Sequence, residues 1–286
     1  MKVVLIGKRK DMIPVVFIHR GYQDYLECTL QQARKENEVY LLGDTQPNVP
    51  SINFENLNQF WGDCNEFSKH YVHLNTTPPD YEVFCYQRWF ILRDFMKERG
   101  ISTVFYCDSD VMLFTNVTKE WEKFNQFDMT LLHRTAAIAS FITITAVENL
   151  CNLMMNTYKN RNSYNYKKIA SHFHVRQECK LAGGVCDMTF LEFFHYCSDC
   201  GGGPGKVGEM MQIIDGSTYD HNINVPDQGF AFKNGIKDFK IRNGVPYVYN
   251  SRLDKEIKFN SLHFQGGAKR LIRQTYDQCS RNVEAQ

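Results

Sequence analysis

The stretch STVFYCDSDVMLF (102–114) restricts the folds open to this chain more than any other. Val104, Phe105 and Tyr106 read as a buried strand, which ends on Asp108-Ser109-Asp110 before the chain turns apolar again. Carboxylates at the tip of a core strand are costly unless a positive group meets them. Alternate residues of a straight strand point to opposite faces, so both carboxylates reach one ion only if the chain bends at Ser109. Bent in that way, the pair suits a hard divalent cation, Mn²⁺ or Mg²⁺, which keeps waters and bridges to phosphate. The plainer alternative is a solvated turn.

The flanking sequence supplies a sheet for this strand. IPVVFIHRG (13–21) reads as a strand with polar residues at its end. A helix follows over 22–37, with Tyr25, Leu26, Thr29, Leu30 and Ala33 on one face. Further strands are expected at 38–44, 71–75, 128–133 and 139–145. An amphipathic helix is expected at 80–100, closed by Arg99 and Gly100, and a further helix at 146–160. Strands alternating with helices predict an α/β/α sandwich around a mostly parallel mixed sheet. Ligands of such sheets sit beyond the carboxyl ends of the strands, where Asp108, Asp110 and the His19-Arg20-Gly21 triplet fall. The second half is less regular, with a loop at 197–206, a turn-rich stretch at 215–222 and a hairpin around Asn243-Gly244. Neither a repeat nor a linker breaks the chain. One domain over 1–286 is expected, with a nucleotide-binding half (13–125) and a substrate half (126–272).

Composition narrows the function classes. A net charge of +1 offers no global basic field for nucleic acid. MKVVLIG, at the start, is too short an apolar run for a signal peptide or a membrane span. The ten cysteines are therefore expected as free thiols in the cytoplasm, with the protein soluble or peripheral to a membrane.

A second constellation lies near the C-terminus. NSLHFQGGAKRLI (260–272) carries His263, Gly266 and Lys269 as His-x-x-Gly-x-x-Lys. Histidine can ligate a metal, glycine lets a phosphate approach the backbone, and lysine supplies a point charge. Beside an Asp-x-Asp at a strand end, these complete a set for gripping a metal-bound diphosphate.

Strand–helix–strand, a Tyr/Arg helix, Asp-x-Asp and a terminal HxxGxxK together resemble the GT-A-fold nucleotide-sugar glycosyltransferases. The similarity is greatest to the retaining family 8 enzymes, the galactosyltransferase and glycogenin-like group, over roughly residues 13–272. The resemblance implies a Rossmann-like GT-A fold and a cation, Mn²⁺ or Mg²⁺, held by Asp108, Asp110 and His263. It implies donor contacts from Gly266, Lys269, Arg88, Asp108 and Ser109, with His19, Arg20 and Gly21 lining the nucleotide pocket. The reaction implied is sugar transfer from a nucleotide-sugar donor, UDP-linked by analogy, to a hydroxyl of a glycan, glycolipid or protein, with retention. Asp187, which follows Gly183-Gly184 and opens an apolar helix, is either a helix cap or a contact to the donor sugar; with Lys269 it is the expected catalytic pair. Asp227-Gln228 is its rival. The chain departs from the family where Arg270-Leu271 follow the lysine, where SFITIT follows the metal motif, and where Asp187-Met188 stands for Asp-Gln.

Three other classes compete. A nucleotidyltransferase would carry a glycine-rich basic loop after its first strand, and HRGYQDYL has one glycine. A glycoside hydrolase would need paired carboxylates but no metal. A sugar- or nucleotide-binding module would bind without turnover. The remaining motifs read as structural. GGGPGKV lacks the Walker serine or threonine, and Cys197-x-x-Cys200 lacks a second pair for zinc. His172 and His174 read as surface, and Trp61, Trp89 and Trp121 as core. Asp24 is a helix-start residue or a nucleotide contact.

Overall fold

The computed structural model describes residues 12–199 and 205–284; MKVVLIG and Cys200 with the glycines after it lie outside the described residues. The first half opens with Val15–His19 (β1), Asp24–Ala33 (α1), Val39–Gly43 (β2), Asn53–Asn56 (β3), Gly62–His70 (α2) and Pro79–Arg99 (α3). Thr103–Cys107 (β4), Val111–Leu113 (β5) and the single turn Val117–Glu120 (α4) follow. Met129–Leu131 (β6), Ala139–Thr143 (β7), Ile144–Lys159 (α5), Tyr164–Glu178 (α6), Asp187–Asp199 (α7) and Val207–Glu209 (β8) come next.

Seven of these strands form the central sheet in the order β3-β2-β1-β4-β7-β6-β8. Strands β1, β2, β3 and β4 run parallel, and β7 runs antiparallel to β4 and β6. This is the mostly parallel mixed sheet of an α/β sandwich expected from the sequence. Both faces of the inner strands are buried, as a covered parallel sheet requires. Val16, Ile18, Val104 and Tyr106 face a core shared with α2, α3, α5 and α7. Val15, Phe17, Phe105 and Cys107 face Leu26, Leu30 and Ala33 of α1 on the other side.

The remaining strands are Ser217–Tyr219 (β9), Phe232–Lys233 (β10), Ile236–Lys237 (β11), Phe239–Arg242 (β12), Val245–Asn250 (β13) and Lys255–His263 (β14), before the C-terminal helix Ile272–Glu284 (α8). Strands β12-β13-β14-β5 make a second sheet, with β9 beside β14. It packs against α1 and α8 through Met112, Val248, Leu262 and Ile272. The third layer is thus shared between helices and a small sheet. The expected hairpin is present, with Asn243 and Gly244 both at positive φ (50° and 75°), as a two-residue primed turn demands.

Several expectations need correction. Residues 71–75 join no ladder and lead straight into α3. Strand β3 and helices α2 and α6 went unread. β3 (Asn-Phe-Glu-Asn) is a half-exposed edge strand with little apolar pattern, and α6 buries only Ile169. Helix α3 is not amphipathic. Five consecutive residues, Trp89 to Arg93, are buried, so it is enclosed on all sides rather than along one stripe. Gly100 ends it at φ 65°, as expected of a glycine past a helix C-terminus. Thr143 ends β7 and caps α5 by accepting from the Ala146 N–H (3.3 Å), so the helix starts inside the stretch read as a strand.

Candidate functional site

The Asp-x-Asp turn is the point where the chain leaves one sheet and enters the other. Asp108 closes β4, and its N–H bonds the Ile138 carbonyl (2.8 Å) beside β7. Asp110 precedes β5, and its carbonyl accepts the Phe264 N–H (3.0 Å) just past β14. The Val111 N–H closes the turn onto the Asp108 carbonyl (3.1 Å). Between them Ser109 is held by α1 and β1. Its carbonyl accepts the Thr29 hydroxyl (2.9 Å), and its Oγ meets His19 Nδ1 (3.0 Å).

Strand register brings in the C-terminal motif. His263 pairs with Val111 across β14 and β5, one residue from Asp110. His263 Nε2 stands 3.4 Å from Asp110 Oδ1, and Lys269 Nζ lies 3.2 Å from Asp110 Oδ2. His263 Nδ1 meets the His221 carbonyl at 2.5 Å. Since a carbonyl only accepts, Nδ1 carries hydrogen and Nε2 is the atom turned to Asp110. Burial works to raise the Asp110 pKa, but His263 and Lys269 outweigh it and hold the carboxyl below its usual value. Burial opposes charge on His263 as well, yet Asp110 raises its pKa. Gly266 sits at φ +59°, and a Cβ built there would touch nothing within 4 Å, leaving room at the backbone.

Asp108 lines the same cavity as Asp110 and Lys269 and has its own set of partners. Its Oδ1 accepts from Arg88 Nη1 (2.8 Å) and the Tyr106 hydroxyl (2.8 Å). Burial raises its pKa and is only partly countered by Arg88. Arg88 Nη2 reaches Asp187 Oδ2 (2.6 Å), which also accepts the Trp89 indole N–H (2.9 Å). Burial alone would lower the Arg88 pKa, and Asp187, Tyr106 and Asp108 drive it well above the ordinary value. Two hydrogen-bonded groups thus meet at the turn. Asp110, His263 and Lys269 stand together, whereas Asp108 joins Arg88. Among the described residues, no group of three His, Cys, Asp or Glu side chains could hold a metal ion. Asp108 still feels the charges of Asp110 and His263 across the turn while it is hydrogen-bonded to Arg88.

Asp187 opens α7 and is 3% exposed. Its carboxylate is the counter-ion of Arg88, so the expected sugar contact would require that pair to open. Asp227, its rival, instead meets Lys237 Nζ (3.2 Å) behind the second sheet. Asp24 is the first residue of α1.

A cavity of about 430 Å³ lies in front of the turn, at the carboxyl ends of β1 and β4. His19, Arg20, Arg88, Asp108, Asp110 and Lys269 line it, and Tyr25, Tyr81 and Phe84 give it aromatic walls. The Arg20 guanidinium lies over the Phe84 ring, 4.7 Å from its centroid. The Gly21 N–H is taken by Asp44 Oδ1 (2.8 Å). Burial lowers the His19 pKa, and its Nε2 is buried without a partner. A larger cavity, about 590 Å³, lies at the opposite ends of the strands near Pro14, Glu38, Thr103 and Trp121; Glu38 is its one carboxylate. The smaller cavity holds the charged groups and is the candidate site.

Sequence reasoning missed Tyr81 and Phe84, which share the cavity-facing side of α3, and Tyr106, whose hydroxyl fixes Asp108. Other residues fall where the plainer reading put them. His172 and His174 are exposed, Trp89 is fully buried, and Trp61 and Trp121 pack half-buried against the core. No helix among the described residues is long and apolar enough to cross a membrane.

Comparison with protein-family models and with curated proteins gives no match. Among solved structures, the chain is similar to a glycosyltransferase involved in the glycosylation of the major capsid of PBCV-1. That match has 11% identity and a TM-score of 0.29, over 58% of this chain and 77% of the other. It is also similar to the glycosyltransferase GlyE of Streptococcus pneumoniae TIGR4, at 15% identity and a TM-score of 0.34, over 74% of this chain and 48% of that one. The chain thus spans about half of GlyE. Neither likeness is close enough to carry an argument about chemistry.

Proposed function

We propose that this protein is a metal-dependent glycosyltransferase. In this reading it moves a sugar from a nucleoside diphosphate donor, UDP-linked by sequence resemblance, to an acceptor hydroxyl on a glycan, glycolipid or protein. The observation that carries the reading is the meeting of Asp110, His263 and Lys269 at the mouth of the cavity beside Asp108. Residues more than 150 positions apart in sequence are brought together there by one strand pairing.

The residues present fit a divalent cation in part. Asp110 and His263 Nε2 offer two donors 3.4 Å apart of the kind Mn²⁺ or Mg²⁺ accepts, and the His263 ring is tied through Nδ1 as ligating histidines are. Asp108 offers a third donor, a carboxylate at the same turn, with Oδ1 engaged by Arg88 and Tyr106. A bound ion supplies positive charge to the departing diphosphate. Lys269 adds a second charge, and Gly266 leaves its backbone open to a phosphate oxygen. His19 and Arg20 line the nucleoside end, and Arg88 spans Asp108 and Asp187 at the sugar end. The bond broken joins the anomeric carbon to the β-phosphate oxygen, the acceptor oxygen forms the new bond, and the acceptor's proton passes to the departing phosphate oxygen. No described residue is an obvious covalent nucleophile, and same-face displacement with retention is the mechanism proposed.

Thermal-shift titration with UDP and UDP-sugars, with and without Mn²⁺, tests the reading. A shift that needs both nucleotide and metal is expected, and Asp110→Asn is expected to abolish it. A shift that survives in Asp110→Asn refutes the site. A non-catalytic nucleotide-binding module is the second reading, favoured by the sealed Arg88–Asp187 pair. Mn²⁺-dependent UDP binding without turnover of any UDP-sugar would select it.

A further inference from the structure

Lys237 is the single lysine buried among the described residues, at 1% exposure. Its ammonium has three donors and finds three acceptors: Asp220 Oδ1 (2.7 Å), the Asn222 carbonyl (2.7 Å) and Asp227 Oδ2 (3.2 Å). Asp220 is equally buried. A buried ion pair is often no more stabilising than packed apolar side chains of the same size, so stability alone does not account for it.

What the pair holds is the turn 220–222, and that turn grips His263 twice. Asp220 Oδ2 accepts the His263 backbone N–H (3.0 Å), and the next residue, His221, offers its carbonyl to the ring Nδ1 (2.5 Å). One carboxylate therefore joins Lys237 through one oxygen and His263 through the other. With Nδ1–H committed to a carbonyl, Nε2 is the ring atom aimed at Asp110.

We propose that Lys237 and Asp220 are positioning residues that set the tautomer and aim of the His263 ring. The claim about the cation rests on the function proposed above, whereas the claim about the tautomer does not. Outer partners of this kind are worth about ten- to hundredfold in metal affinity.

The test uses the full chain and two variants. Asp220→Asn keeps the shape but offers one oxygen where two are needed. Lys237→Met/Asp220→Leu replaces the pair by apolar side chains, leaving Asp227, 10% exposed, at the edge of solvent. Two quantities are measured: the affinity for Mn²⁺ alone, by the paramagnetic resonance of free ion, and the His263 ring tautomer, by long-range ¹⁵N–¹H spectra at a pH where the ring is neutral. Expected are an Nδ1–H ring in the unmodified protein, loss of that single tautomer in both variants, and Mn²⁺ binding weaker by about ten- to hundredfold. Folded variants with unchanged affinity and tautomer overturn the proposal, because a purely structural pair would give that result. An Nε2–H ring in the unmodified protein overturns it whether or not the variants fold. If the unmodified protein binds no Mn²⁺, the cation reading fails and the tautomer alone decides the positioning.

Discussion

Replacing Asp187 by alanine removes the hub where α3 meets the start of α7. Three donors lose their acceptor: Arg88 Nη2 at 2.6 Å, the Trp89 indole N–H at 2.9 Å and the Met188 N–H at 3.0 Å, the last on an exposed residue that can turn to water. Arg88 keeps Asp108 at 2.8 Å, so its charge is not left alone. The loss is therefore one charge-assisted bond, about 1.5–3 kcal/mol, and one orphaned buried N–H, about 1–3 kcal/mol. Together these come to roughly 2.5–6 kcal/mol, which brackets the ~3–5 kcal/mol found when one partner of a buried pair is removed. For a chain of this size that is a fall of roughly 5–24 °C in Tm. Thermal unfolding followed by tryptophan fluorescence suits the measurement, because Trp89 reports on its own bond. Asp187→Asn, which keeps one oxygen, is expected to lose less. A Tm for Asp187→Ala within about 2 °C of the unmodified protein would refute the reasoning.

Two other perturbations follow from the same geometry. Burial keeps His19 neutral, so the unfolded chain takes up a proton near pH 6.5 where the folded one resists; stability contributed by His19 is lost as pH falls from 6.5 toward the lowered folded value. His19→Gln is expected to show a smaller Tm drop than the unmodified protein between pH 7 and 5.5, and parallel curves would count against it. At Gly184, a Cβ would run into the Leu74 carbonyl and stand 2.7 Å from Asn75 Cα, both backbone atoms. Gly184→Ala is expected to cost about 1–3 kcal/mol by calorimetry, since the approach to Asp187 is forced off the 74–75 segment.

Much of the site was legible because its chemistry is local. Asp108-Ser109-Asp110 follows an apolar run, and His263, Gly266 and Lys269 lie within seven residues, so both clusters stand out without a structure. Their meeting was harder to read. It depends on a nine-residue strand, β14, finding three residues of β5 across a gap of about 150 positions, and no periodicity encodes that register. Arg88 was placed on its helix correctly, but its preference for Asp108 over a free cavity depends on Asp187, 99 residues away. Lys237 was hidden by its company. In AFKNGIKDFKIR it sits between Lys233 and Lys240 and reads as one more solvated lysine, while the two-residue strand β11 turns it inward. Helix α3 looked two-faced because Asp80, Glu82 and Lys97 punctuate it, but they mark its ends rather than a side.

The three-residue turn at 108–110 belongs to neither sheet and is bonded to both. A molecule that grips it therefore acts as a rivet through two plates. Slowed amide exchange on ligand binding should appear together in Thr103–Cys107 and Lys255–His263, although those strands share no hydrogen-bonded strand neighbour. The grip is felt along both plates because the seam, rather than either surface, carries the charge.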